Sequence, residues 1–364
     1  MNLLLAAGGT GGHVYPALAL AHEAQRAGDT VLLLGARGGM EERIAREAGL
    51  PFHGVAAGKW DRQRPDPRQA FAALAGLRDA IRTTRRFAPD VVVGFGGFAS
   101  FPGCIAATVT RTPLLLHEGN VQPGRVTRWF AQRAACVATA IPETAEHLAR
   151  GVATRHVGFP VREERPDRQA SRRALGIPED AVVTLVMGGS QGSLALNEAV
   201  PAAFRTLSES ERGFVLHAAG RRWADTVTVA TADLPTYHVH AFLDAPRAWA
   251  AADLAITRGG ISTLSEAAFH GVPLVIVPLP TSADDHQRAN ARAVADAGAG
   301  WSVEQDDAEG LLTAWRALLD PAARVRAGQA MHARSPEGAA ARLYELARDA
   351  ARGQGDRMSR EAAS

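Results

Sequence analysis

Apolar residues in this chain fall into short runs separated by longer stretches of helical spacing, and the alternation continues almost to the C-terminus. Runs that are apolar at successive positions suit strands buried on both faces, so the pattern predicts an α/β chain whose parallel sheets are covered by helices on each side. In the first half, strands are predicted near residues 2–7, 30–34, 52–55, 90–94, 113–117, 135–138 and 154–157. In the second half they are predicted near 182–187, 214–218, 236–241, 253–257 and 273–277, followed by helices over 306–318 and about 335–351. After the first strand, Pro16 fits the opening turn of a helix that buries Ala17, Leu18, Leu20 and Ala21, with Gly28 placed to end it.

Two of these runs empty into glycines. The first leads into Gly8-Gly9-Thr10-Gly11-Gly12-His13 and the second, Ala181–Met187, into Gly188-Gly189-Ser190-Gln191-Gly192-Ser193. A buried strand that ends in glycines at a helix start is how a parallel sheet brings its backbone close to a phosphate. The repetition goes further: Pro89-Asp90-Val91-Val92-Val93-Gly94-Phe95-Gly96-Gly97 parallels Ala252-Asp253-Leu254-Ala255-Ile256-Thr257-Arg258-Gly259-Gly260. Thr112–Leu116 likewise parallels Val272–Ile276, at a nearly equal offset. Two related folds in tandem are therefore expected, with the ligand between them. The expected domains are 1–160, 161–334, a helix over 335–352 returning to the first domain, and a frayed tail over 353–364, with the charged stretch Glu163 to Arg173 as linker.

A length of 364 residues suits two domains, each able to bury a full core. The formal net charge of +2 is too weak to indicate nucleic-acid binding. Lys59 is the sole lysine, so 39 of the 40 basic residues are arginine and a lone arginine carries little functional weight. Cys104 and Cys136 stand far apart with no metal-ligand spacing, which fits structural thiols in a reducing compartment. The opening residues read as a strand and not as a secretory signal, and no apolar stretch approaches the ~18 residues of a membrane span.

The first loop fits a nicotinamide fingerprint poorly. G-x-G-x-x-G requires a shifted register, and the second strand, running Thr30 to Arg37, does not end in the acid that would hold a ribose. His13 at the loop's end suits either a general base or a cap on the following helix. Glu266, after Arg258-Gly259-Gly260-Ile261-Ser262-Thr263-Leu264-Ser265, either satisfies a helix dipole or accepts two ribose hydroxyls. Asp284-Asp285-His286-Gln287-Arg288 and Asn290 invite a metal reading, but no second spaced histidine supports it. No Asp-x-Asp pair occurs, so a leaving pyrophosphate would be stabilised by helix N-termini and backbone amides.

Taken together, GGTGGHVYPALALA, PDVVVGFGGFAS, PLLLHEGN, VGFPVR, GGSQGS, RGGISTLSEAA, GVPLVIVP and DDHQRANA make the chain resemble the bacterial MurG family from Gly8 to about Leu346. That family transfers N-acetylglucosamine from UDP-N-acetylglucosamine to a lipid-linked muramyl-pentapeptide, making lipid II. The resemblance implies a GT-B fold, two Rossmann-like parallel-sheet domains facing across a cleft, and an inverting reaction that needs no cofactor or metal. It implies donor contacts from Glu266 (ribose), Leu243 (beside the uracil), Gln287 (sugar hydroxyls), Ser190 and Gln191 (near the diphosphate), Arg162, Gly192, Ser262, Thr263 and Leu264. On the acceptor side it implies His13 as a catalytic or acceptor-orienting residue, with Thr10, Gly11, Gly12, Gly96, Gly97 and Asn120 near the acceptor or lining the cleft. Departures are Gly119 in place of the usual glutamine of His-Glu-Gln-Asn, Phe101 in place of a small residue, and His286 where some members carry a second glutamine.

The partners implied are UDP-N-acetylglucosamine, the lipid-linked acceptor, an anionic membrane surface and other cell-wall synthesis proteins, with the protein peripheral on the cytoplasmic membrane face. The segment Arg68 to Phe87 suits that surface: Phe71, Leu74, Leu77 and Ile81 recur at helical spacing beside Arg78, Arg82, Arg85 and Arg86. An ordinary helix packed on the first sheet accounts for the same pattern. The competing functions are a GT-B enzyme acting on diacylglycerol, which would lack the pyrophosphate-directed first loop, and a nucleotide-sugar binding protein without transfer, which would lack His13.

Overall fold

The structure, a computed structural model, describes residues 1–56, 67–189 and 191–353, without the side chains of 67–70. Ser190 and the tail from 354 lie outside the described residues. The chain forms two compact units, Met1–Val161 with the chain from Gly338 onward, and Arg162–Glu337.

In the first unit the strands are β1 (Asn2–Ala6), β2 (Thr30–Ala36), β3 (Phe52–Val55), β4 (Val91–Gly94), β5 (Leu114–Glu118), β6 (Cys136–Thr139) and β7 (Thr154–His156). Between them run helices α1 (Gly11–Arg26), α2 (Met40–Glu47), α3 (Pro67–Phe87), α4 (Phe101–Thr110) and α5 (Arg125–Phe130). The strands pair in parallel in the order β3-β2-β1-β4-β5-β6-β7. The order reverses beside β1, which gives a doubly wound sheet with a switch point between β1 and β4. Because side chains alternate along a strand, Leu3 and Leu5 of β1 enter one core with Ala17 and Leu20, while Leu4 enters the other with Ala80, Cys104 and Val126. Each of these leucines is fully buried and contributes about 1.5–3 kcal/mol.

The second unit holds β8 (Val183–Met187), β9 (Phe214–Ala218), β10 (Tyr237–His240), β11 (Leu254–Thr257), β12 (Leu274–Ile276) and β13 (Gly300–Ser302). Its helices are α6 (Arg168–Ala174), α7 (Leu194–Thr206), α8 (Ala224–Ala230), α9 (Ala245–Ala251), α10 (Ile261–His270), α11 (His286–Asp296), α12 (Ala308–Leu319) and α13 (Pro321–His332). The parallel order β10-β9-β8-β11-β12-β13 puts its switch point between β8 and β11. The last helix, α14 (Ala339–Ala351), belongs to the first unit, where Leu343, Tyr344, Leu346 and Ala347 join the core of Leu3 and Leu20.

Three local expectations change. Helix α1 opens at Gly11, so Pro16 lies in its second turn, and Val14 and Pro16 are buried where Leu18 is only half-buried. Gly28 does end that helix, at φ +81°, with its amide on the Gln25 carbonyl and the Asp29 amide on that of Ala24. The charged stretch after Glu163 is no free linker, because from residue 168 it is α6, capped by Asp167 on the Ala170 amide. Arg172 in α6 is buried, donating to the Ala251 and Glu179 carbonyls and to Asp253, which also takes Arg168. Helix α13 escapes sequence reading because it buries only Ala327 and Met331 and so has no apolar stripe.

Candidate functional site

In the first unit, the loops after β1 and β4 lie side by side at the switch point, and His13 joins them. It is the third residue of α1, half-buried, with Nδ1 3.0 Å from the Thr10 hydroxyl. Gly96 and Gly97 adopt positive φ and leave room for its ring: a Cβ on Gly97 would lie 2.8 Å from Nδ1, and one on Gly96 3.5 Å from Nε2. Thr10 is the N-cap of α1 but makes no side-chain cap bond, and no acid lies in the first turn. The amides of Gly11 and Gly12 therefore open an uncapped helix end that attracts an anion.

The neighbouring loop is shaped by a residue that sequence reading passed over. Glu118, buried at the end of β5, accepts from the Asn120 and Gly124 amides at 3.0 and 2.9 Å and from the Thr127 hydroxyl at 2.6 Å. Asn120 is thus placed by Glu118, and the Thr144 hydroxyl donates to its carbonyl, so the departure at Gly119 leaves the loop's anchors intact. Phe101 fills the space between α4 and α5, its ring edge-on to Trp129 and Phe130 at 5.7 and 5.8 Å. His117 beneath is buried between Phe95 and Phe159, and burial pushes its pKa down to about 4; the Gly158 carbonyl opposes the shift and His13 adds to it.

In the second unit, the loop after β8 rests on the turn after β9. A Cβ on Gly192 would fall 1.9 Å from the Ala219 carbonyl oxygen, and Gly192 has φ +74°, so only glycine fits. That carbonyl accepts from Asn197, whose Oδ1 lies 2.9 Å from Nε2 of the buried His217, whose Nδ1 in turn lies 2.7 Å from the Tyr237 hydroxyl. Gln191 is exposed at the top of the loop. Buried Arg258 joins the loop bases, donating to the Ser193 hydroxyl, the Val277 and Pro278 carbonyls and Gln305.

Helix α10 starts after Gly260, which supplies no side-chain cap. Ser262 and Thr263 lie half-buried in its first turn, whereas Leu264 turns its side chain into the core and its amide to the Gly260 carbonyl. Glu266 is the sixth residue, beyond the first turn where the helix dipole acts, so dipole compensation does not explain it. Its Oε2 accepts from the Trp249 indole at 2.8 Å, and burial raises its pKa while that bond lowers it. Gln287 accepts the Gly259 and Leu279 amides on Oε1 at 3.2 and 3.0 Å, which ties the loops after β11 and β12. Leu243 is buried in the core, so any contact it offers a base comes from its backbone. Arg162 is exposed and paired with Glu164 at 2.6 Å and Asp244 at 3.7 Å.

The acidic cluster before α11 is engaged internally: Asp285 and Glu304 pair with Arg288, and His286 meets the Ala283 carbonyl. Among the described residues no group of three or more His, Cys, Asp or Glu is placed to hold a metal ion, and no helix is long and apolar enough to cross a membrane.

Residues 3–139 match the glycosyltransferase family 28 N-terminal domain and residues 183–345 its C-terminal domain. Among curated relatives, the UDP-N-acetylglucosamine–N-acetylmuramyl-(pentapeptide) pyrophosphoryl-undecaprenol N-acetylglucosamine transferase of Deinococcus deserti is 46% identical, over 94% of this chain and 97% of its own length. The enzyme of the same description from Thermus thermophilus is 42% identical, over 94% of this chain and 98% of its own. Among solved structures, Acinetobacter baumannii MurG superposes with a TM-score of 0.80 at 29% identity, covering 96% of this chain and 99% of that one. The calicheamicin glycosyltransferase CalG4, at 17% identity and a TM-score of 0.69, shares the fold.

Proposed function

We infer, since the chain belongs to the MurG family, that it transfers N-acetylglucosamine from UDP-N-acetylglucosamine to undecaprenyl-pyrophosphoryl-muramyl-pentapeptide, lipid I, forming lipid II for peptidoglycan. It is an inverting glycosyltransferase of GT-B fold, built of two Rossmann-like parallel-sheet units. The acceptor hydroxyl attacks the anomeric carbon opposite the departing UDP while a base takes its proton.

The observation that carries the assignment of roles is the pair of helix starts at the two switch points that lack a side-chain cap, α1 beside an imidazole and α10 beside a desolvated carboxylate. In the second unit, Glu266 takes the ribose hydroxyls. Its Oε1 has no partner among the described residues, and the fixed Trp249 bond orients it. The Ser262 and Thr263 amides and the Gln191–Gly192 loop hold the diphosphate and stabilise the charge that develops on UDP. Gln287, anchored through Oε1, presents its amide nitrogen to the sugar, and the Leu243 backbone meets the uracil. Arg162 contacts the donor, and Ser190, outside the described residues, is assigned to the diphosphate.

In the first unit, Gly11 and Gly12 receive the acceptor pyrophosphate. Gly96 and Gly97 give His13 its space, and Asn120 orients the acceptor. A tautomer in which Nδ1–H donates to the Thr10 hydroxyl puts the lone pair on Nε2, and that nitrogen is the base. Incubating the pure protein with labelled UDP-N-acetylglucosamine and lipid I should give labelled lipid II, and no transfer would overturn the reading.

Helix α3 docks the enzyme on the membrane surface. Phe71 is 74% and Leu74 45% exposed, and Arg78, Arg82, Arg85 and Arg86 are exposed along the same helix. Each arginine near an anionic surface contributes about 1 kcal/mol. Changing Arg82, Arg85 and Arg86 to glutamine should therefore weaken sedimentation with anionic vesicles by up to about a hundredfold. Equal binding by both proteins would make α3 an ordinary packed helix.

A further inference from the structure

Glu41, the second residue of α2, has its side chain enclosed although it is a carboxylate, with 1% of the residue exposed. Among the described residues no basic side chain pairs with it. Its Oε1 accepts from the Ala36 amide at 2.8 Å and its Oε2 from the Gly9 amide at 3.3 Å. Three glycines make the slot: a Cβ on Gly8 would fall 2.2 Å from Oε1, one on Gly35 2.6 Å from Cγ, and one on Gly39 2.6 Å from Cδ. Gly8 is held from its other side too, since its Cβ would meet that of Ala99 at 2.7 Å and a Cβ on Gly97 would meet the Gly8 carbonyl at 2.4 Å. The order is carboxylate, then Gly8–Gly9, then Gly97 and the His13 ring.

An apolar side chain of similar size would fill this slot without desolvating a charge, and such exchanges are commonly neutral or stabilising. What it would lack is two directed acceptors that fix the peptide planes of Ala36 and Gly9. We propose that Glu41 is a positioning residue for the acceptor step: it sets the first glycine loop at the height where the Gly11 and Gly12 amides and the His13 imidazole meet the acceptor pyrophosphate and hydroxyl. This rests on the reading that the first loop serves the acceptor. Because Glu41 occupies the Gly9 amide, the pyrophosphate is left to the amides that open α1.

Two variants displace the carboxylate by different routes. Glu41→Gln keeps the shape but sets an amide donor against one of the two backbone donors. Gly39→Ala keeps the charge and, at φ −75°, an allowed backbone, but drives a methyl into the carboxylate. Both should lower kcat/KM for lipid I by about 10²-fold, as misplaced catalytic groups do, with UDP affinity within about twofold of wild type. His13→Ala is measured alongside. If Glu41→Gln and Gly39→Ala retain wild-type acceptor kinetics while His13→Ala loses turnover, Glu41 only packs, and the proposal fails with the acceptor reading intact. Wild-type acceptor kinetics in all three would overturn both. If Glu41→Gln does not fold, Gly39→Ala decides; loss of UDP affinity in parallel with acceptor kinetics would mean general damage and would also overturn the proposal.

Discussion

Replacing Glu266 with glutamine removes a charge from the second unit with little change of shape. The glutamine carbonyl can still accept the Trp249 indole, now 2.8 Å from the carboxylate, so that buried N–H is not left unsatisfied and the fold should hold. What disappears is the charge-assisted part of the ribose contact, worth about 1.5–3 kcal/mol. UDP should therefore bind about tenfold to a hundredfold more weakly by calorimetry, with the acceptor KM unmoved.

The pH dependence gives a second reading of the same contact. Burial raises the Glu266 pKa, with the Trp249 bond pulling the other way. Ribose binding favours the ionised form, so binding UDP releases a proton. Wild-type affinity should thus rise with pH through a titration above the ordinary carboxylate range, and the glutamine variant should show no such rise. Unchanged UDP affinity in Glu266→Gln, or the same pH profile in both proteins, would refute the ribose assignment.

His13→Ala should lower kcat by roughly 10²–10⁴-fold with UDP affinity unchanged; wild-type kcat with only a lowered Tm would make the residue a helix cap. Turnover should survive EDTA, since the diphosphate is assigned to backbone amides, and a complete loss restored by Mg²⁺ would contradict that. Burial lowers His117 and His217 to about 4 from the 6.5 of an unfolded histidine. Their stability contribution is therefore full above the unfolded pKa and is lost as pH falls towards the folded one, up to about 3 kcal/mol for each residue. Thermal melts between pH 7 and 4 should show this loss, and a flat Tm would refute neutral burial.

The strands were legible because parallel strands covered on both faces read as unbroken apolar runs, as with Leu3–Ala7 and Val91–Val93. Glu266 and His13 were legible because they follow glycines that follow such runs. Residues whose meaning lies in a distant partner were not. Arg172 reads as surface charge until Asp253, remote in sequence, converges on it. Glu41 sits in MEERIARE, which looks like a solvated helix, and the sequence signal was the glycines at 35 and 39 just before it. β13 was missed because it is a three-residue edge strand whose Trp301 and Ser302 are exposed, leaving no apolar run to read.

The most direct measurement offers the pure protein UDP-N-acetylglucosamine, labelled in the sugar, together with lipid I and diacylglycerol in one mixture, and determines by NMR where the label goes and with which anomeric configuration. The expected result is label on lipid I alone, in β-linkage, the inverse of the α-linked donor. Label on diacylglycerol, an α-linked product, or release of free sugar without transfer would contradict the assignment.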